Sequence, residues 1–240
     1  MNLIRTGRSA TTWAAALVAT AALAVSLTAC GGSDEKKSSG KSPQAVMAEA
    51  KKKFDDATSV HLTMATKSVP TEGNAVLGAK GTLTDQPAFD GDVKVLFSGF
   101  NTTIPVVAVD GKVYAKIPLT PKFAAIDPAE YGAPDPADFV DPDHGISGLL
   151  LQMDDLKETG TVRVGKQVLT TYSGTIPGSL VAPIIPSADP SASYDIVVGI
   201  DEDGRVATLK VTGDFFSGSG DVTYDIVLTD YDKDVTVTKP

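Results

Sequence analysis

From Val60 the chain alternates with a period of two: Val60, Leu62 and Met64 interleave with His61, Thr63 and Ala65, which predicts a half-buried strand. Further strands are expected over 75–84, 89–97, 103–109, 112–117, 161–164, 168–175, 194–200, 205–213 and 221–229. Asp110-Gly111 and Asp203-Gly204 each separate two such runs, and Asp-Gly between alternating segments is a strong hairpin signal. With short turns throughout, the sheet is expected to be antiparallel. Before the strands the period is helical. Ser42-Pro43 supplies an N-cap and a proline at the first helical position, and Val46, Ala50, Phe54 and Ala57 recur on one face.

Two segments break the meander. Residues 118–145 are rich in proline and aspartate, with Asp-Pro at Asp127, Asp135 and Asp141, and are expected to form a long surface loop leading into a short helix over 146–153. Residues 178–185, bracketed by Pro177 and Pro186, are short and apolar and are expected to form a lid or small helix on the sheet. Some strands are apolar on one face only, as where Val93, Val95 and Phe97 oppose Asp92, Lys94 and Ser98. Others, such as 106–109 and 196–198, are apolar on both. The pattern fits an α+β domain: an open antiparallel sheet covered by helices on one side.

The first 29 residues follow a different logic. Arg5 and Arg8, an Ala/Leu/Val run over 14–25 and small residues at its end have the order of a secretory signal peptide. As a transmembrane anchor the run is poor: it is short, broken by Thr20 and Ser26, and ends at a cysteine. Its end, Leu27-Thr28-Ala29-Cys30-Gly31, resembles the bacterial lipobox, which implies cleavage after Ala29 and lipidation of Cys30. Cys30 is the only cysteine, so a disulfide framework is excluded and the one thiol stands where a thioether would form. Residues 30–41 are then a lipidated cysteine and a polar tether with a typical reach of about 20 Å. Residues 42–240 remain for a single domain.

Removing Arg5 and Arg8 with the signal leaves 19 Lys/Arg against 30 Asp/Glu, a net charge of −11. A body this acidic argues against nucleic acid and against electrostatic adhesion to anionic lipid. Catalytic and metal chemistry is thinly represented. His144-Gly145-Ile146-Ser147-Gly148 lacks the Gly-x-Ser-x-Gly elbow, and His61 and His144 are the only histidines. Asp230, Asp232 and Asp234 imitate the start of a calcium loop, but Val235 replaces its glycine and its twelfth position falls past Pro240. No phosphate loop or nucleotide fingerprint occurs, so neither enzyme, cofactor nor metal is expected.

The lipobox, the helix after a polar tether, DGKVYAKIP at 110–118, DPAEYGAPDPADFVDPDHGISGLL at 127–150 and SGTIPGSLV at 173–181 together resemble the LppX/LprA/LprF/LprG lipoproteins of actinobacteria. The resemblance spans the mature domain in order. It implies a half-barrel sheet, helices across its concave face, and a large apolar cavity between the layers. It also implies a membrane-anchored protein on the extracytoplasmic face that binds multi-acylated lipids or glycolipids and carries them across the envelope. A membrane lipid exporter is an implied partner. Val93, Val95 and Phe97 on the sheet, with Leu180, Val181 and Ile184 in the apolar segment near it, are the expected cavity residues. The alternative is a non-transporting envelope adaptor in which the same faces pack into a solid core.

Overall fold

The computed structural model describes residues 40–118, 120–218 and 220–240; the proposed signal peptide and Cys30 lie outside them. Helix α1, Pro43–Asp55, starts as its sequence dictates: Ser42 is extended, and its hydroxyl accepts a hydrogen bond from the Ala45 amide at 3.2 Å. Val46, Met47, Ala50 and Phe54 form its buried face.

Eleven strands follow: β1 (Ser59–Thr66), β2 (Ala75–Thr84), β3 (Ala88–Phe97), β4 (Phe100–Val109), β5 (Lys112–Ala115), β6 (Ala124–Ile126), β7 (Asp154–Val164), β8 (Gln167–Pro177), β9 (Ser193–Ile200), β10 (Val206–Gly213) and β11 (Val222–Thr229). They form one sheet in the order β6-β5-β4-β3-β2-β1-β11-β10-β9-β8-β7, antiparallel at every pair. Two meanders, β1–β6 and β7–β11, are thus zipped together along β1 and β11. The edges β6 and β7 do not pair with each other, so the sheet is open rather than a closed barrel.

Register fixes which side chains share a face. One cross-strand row runs Tyr172, Val198, Leu209, Ile226, Met64, Ala79, Val93, Ile104 through eight strands, four from each meander. This face carries the core, while Lys80, Asp92, Lys94 and Thr103 point to the other side. Opposite positions in the row are apolar in both meanders, so what differs between the halves is what lies on top.

Over β7–β11 the cover is dense. Helix α1 packs on β7 and β10, the 3-10 helix Ile146–Leu151 packs on α1, and helix α2 (Gly178–Val181) packs on β8. Tyr194, Phe215, Phe216 and Tyr224 form an aromatic cluster, with ring centroids 4.7 Å apart for Tyr194–Phe215 and 4.8 Å for Phe215–Tyr224. The Tyr194 hydroxyl accepts from the Asp189 amide and donates to the Asp214 carbonyl, pinning the segment after α2 to the loop after β10.

The expected surface loop at 118–145 is the main correction. It contains β6 and two 3-10 helices, Pro128–Tyr131 and Pro136–Val140, and it buries Pro136, Ala137 and Phe139 against β2, β3 and β4. Each 3-10 helix begins at an Asp-Pro pair. The Asp127 side chain accepts from the Ala129 amide at 3.0 Å and Asp135 from the Ala137 amide at 2.9 Å, the same chemistry that starts α1. Gly132 ends the first at φ 68°, a left-handed position that suits glycine, with its amide bonded to the Ala129 carbonyl. The segment is a built cover, fastened at one end by β6–β5 pairing. At the other end the Lys51 ammonium donates to the Pro142 carbonyl at 2.6 Å and pairs with Asp55 at 2.7 Å, while buried Ser147 donates to Asp55 at 2.6 Å.

Candidate functional site

Between the 128–139 cover and the face of β1–β5 lies a partly open apolar cavity. Its floor is Met64, Ala79, Val93, Val95, Ile104 and Val106, and its roof is Tyr131, Pro134, Pro136 and Phe139. The floor follows from strand alternation: Val93 opposes Ala79 on one side and Ile104 on the other, while Val95 opposes Val76. The roof follows from two short 3-10 helices that begin at prolines and set Tyr131, Pro134, Pro136 and Phe139 over the strands.

The cavity volume is about 60 Å³. A dry apolar cavity of about 150 Å³ is what takes up a benzene molecule. The cavity of this structure is smaller than that. No charged side chain lines the cavity, and the Tyr131 hydroxyl is the only polar side-chain group among the lining residues. Beside the roof, burial raises the carboxyl pKa of Asp138, and the nearby charges of Asp135 and Asp141 push the same way.

The six residues expected at the site divide. Val93 and Val95 lie on the cavity floor. Phe97, on the same face of β3, stands just outside it with its ring 5.3 Å from that of Tyr131. Leu180, Val181 and Ile184 are outside the lining altogether: Val181 and Ile184 are buried in the core over the β7–β11 meander, with Leu180 packed against it. The segment does reach the sheet, but on its filled half. The roof residues were not anticipated, because prolines and aspartates hid them. Their signal was available in two Asp-Pro caps separated by Tyr131, Ala133 and Pro134 and followed by Phe139-Val140.

The chemically suggestive residues elsewhere are occupied structurally. His144 is exposed and contacts Asp141 at 3.3 Å, whereas Ser147 is fully buried between Asp55 and Lys51, so the two do not form a pair. His61 Nδ1 lies 3.4 Å from the Thr82 hydroxyl on β2. Asp232 accepts from the Thr58 amide and faces Arg205 at 3.7 Å. Among the described residues no cluster of three or more His, Cys, Asp or Glu is placed to hold a metal.

An open antiparallel sheet, covered along one face and packed solid over β7–β11 but hollow over β1–β5, defines an α+β fold with a largely apolar cavity. The chain belongs to the LppX_LprAFG lipoprotein family, whose model matches residues 42–237. It is 28% identical over 229 residues to the lipoarabinomannan carrier protein LprG of Mycobacterium tuberculosis strain H37Rv, covering 94% of each chain. LprG of Mycobacterium leprae is likewise 28% identical, over 230 residues. Among solved structures, LprF from Mycobacterium bovis superposes with a TM-score of 0.69 at 18% identity, over 82% of this chain and 96% of that one. The Mycobacterium tuberculosis lipoprotein LppX gives 0.59 at 18% identity, over 82% and 98%. These neighbours share the fold of this domain.

Proposed function

We propose that this protein is a lipid-anchored lipoprotein of the extracytoplasmic membrane face that takes acyl chains of lipids or glycolipids into the cavity under the 128–139 cover and carries them across the envelope without catalysing a reaction. The observation that carries this reading is the cavity itself, lined by apolar side chains and Tyr131, between a sheet face and a roof of two short 3-10 helices. Its curated relatives being named lipoarabinomannan carrier proteins supports a multi-acylated glycolipid as cargo. Val93 and Val95 would contact the chains, with Phe97 and Tyr131 at one end.

The energetics suit a carrier. A buried methylene is worth about 0.8 kcal/mol relative to water, so a 16-carbon chain gains on the order of 10 kcal/mol on leaving water. The gain is nearly the same in a bilayer and in an apolar cavity, so exchange between them is close to balanced. Receipt of lipid from a membrane exporter fits this scheme.

Native mass spectrometry of protein purified from its own host tests the reading. Retained acyl lipid is expected; protein that carries none, whatever the extraction, fits the solid-core adaptor instead. Anchoring has its own check. Cys30→Ala should free the domain from membranes or stall the precursor, and a normally processed C30A protein that still fractionates with membranes contradicts lipidation at Cys30.

A further inference from the structure

The β3–β4 hairpin carries an apolar side chain that packing does not explain. Phe97 and Phe100 are paired across a two-residue turn in which Ser98 (φ 50°) and Gly99 (φ 81°) are both left-handed, the rigid type I′ geometry. The Asn74 side chain accepts a hydrogen bond from the Ser98 amide at 3.1 Å, which fixes the tip against the β1–β2 loop. Yet Phe100 is 76% exposed, and Val69 in that loop is 46% exposed. Phe100 also shares its face of β4 with Thr102, Ile104 and Val106, of which the last two are cavity floor. Phe97 beside it meets the roof at Tyr131. An apolar strip therefore runs from a water-exposed phenylalanine to the cavity mouth.

We propose that this tip, Phe100 with Val69, docks on the surface of a lipid bilayer and delivers the cavity mouth to it; the proposal rests on the lipid-binding reading above. Charge selects this occupant. No charged residue occurs between Lys94 and Asp110, in a mature chain whose net charge is −11. Attraction to anionic headgroups is weak for such a body, whereas the uncharged β3–β4 hairpin can enter the headgroup–acyl boundary by hydrophobic burial, with Lys67 and Glu72 of the neighbouring loop left at the headgroup level. A short tether to Cys30 would hold the domain within about 20 Å of that surface. The other exposed apolar group, Val162, Val164 and Val168 on the β7–β8 hairpin, lies at the opposite end of the strands and is interleaved with Arg163 and Lys166. None of the three lines the cavity under the 128–139 cover, and the group serves as the internal control.

The only tryptophan, Trp13, precedes Cys30, so a tryptophan placed in the lipidated mature chain is a single reporter. Phe100→Trp and Val162→Trp are reconstituted separately on phosphatidylcholine vesicles whose acyl chains are brominated. The expected result is roughly twofold or greater quenching of F100W, seated about 5–10 Å into the interface, and unchanged emission from V162W. F100W left unquenched, or V162W quenched as strongly, overturns the proposal. Phe100→Ser should slow uptake of acyl-labelled phosphatidylcholine from vesicles by roughly tenfold or more while the melting temperature stays put, since an exposed ring adds little to stability. Unchanged uptake by F100S overturns it as well. If the wild-type protein never holds lipid but F100W is still quenched, the carrier reading fails and the docking edge stands.

Discussion

The two meanders use one sheet face in two ways. Val198 and Val93 lie in the same cross-strand row and point to the same side, yet Val198 is fully buried whereas Val93 looks into a cavity. Over β7–β11, aliphatic side chains of α2 and the loop behind it, and four aromatic rings, fill the space as a conventional core does. Over β1–β5 the cover is two 3-10 turns built on prolines, and the floor includes Ala79 and Ala115. A cavity thus needs no unusual strand sequence. It needs a short cover that packs on the strands at Ala137 and Phe139 and leaves the floor beside them unfilled.

The largest contrast should come from deletions. Leu209→Ala, in the filled half, is expected to cost about 3 kcal/mol, because the packed neighbours cannot collapse into the void. For a domain of this size that lowers Tm by roughly 6–12 °C. Val93→Ala should cost about 1 kcal/mol, since its side chain already borders empty space. Equal losses in thermal melts would mean that both halves are filled.

A smaller effect is expected where the halves are tied together. The buried Tyr224 hydroxyl on β11 donates at 2.7 Å to the Val76 carbonyl on β2, and Val76 borders the cavity. Tyr224→Phe leaves that carbonyl without its donor and should cost about 1.5 kcal/mol. Burial also pushes the Tyr224 pKa up to about 12. A phenol whose folded pKa lies above its unfolded value of about 10 contributes fully below pH 10, and the contribution is lost as pH rises toward 12. Alkaline melts of Y224F should consequently fall less steeply over that window than those of the wild type.

The smallest shift belongs to the roof. Asp135→Ala removes an N-cap and should cost about 1 kcal/mol or less. Its more telling readout is lipid exchange, which should quicken if the cover lifts as a unit and stay constant if lipid enters elsewhere.

How much of this was legible in the sequence depended on how local the signal was. Ser42-Pro43 and the two Asp-Gly hairpins are self-contained, and the structure has α1, the β4–β5 turn and the β9–β10 turn in those places. The strand over 75–84 coincides with β2. Ser98-Gly99, a less specific turn pair, joins strands that were read as ending at 97 and beginning at 103. The cover was lost because a run of Pro and Asp looks like a solvated loop unless each Asp-Pro is read as a cap. Which half is hollow could not be read at all: Val181 and Ile184 are as apolar as Val93 and Val95, and only tertiary packing decides whether such a face meets side chains or space.

The most direct test of that division is the pair Val95→Trp and Val198→Trp, with co-purified acyl lipid and melting temperature measured for each. The account predicts that V95W carries no lipid and is destabilised clearly less than V198W, its ring taking up the cavity and displacing the short cover where V198W must strain a filled core. V198W should be destabilised by about 3 kcal/mol or more, as overpacking a filled core forces strain. A V95W protein destabilised as severely as V198W, from a wild type that holds no lipid, would contradict it.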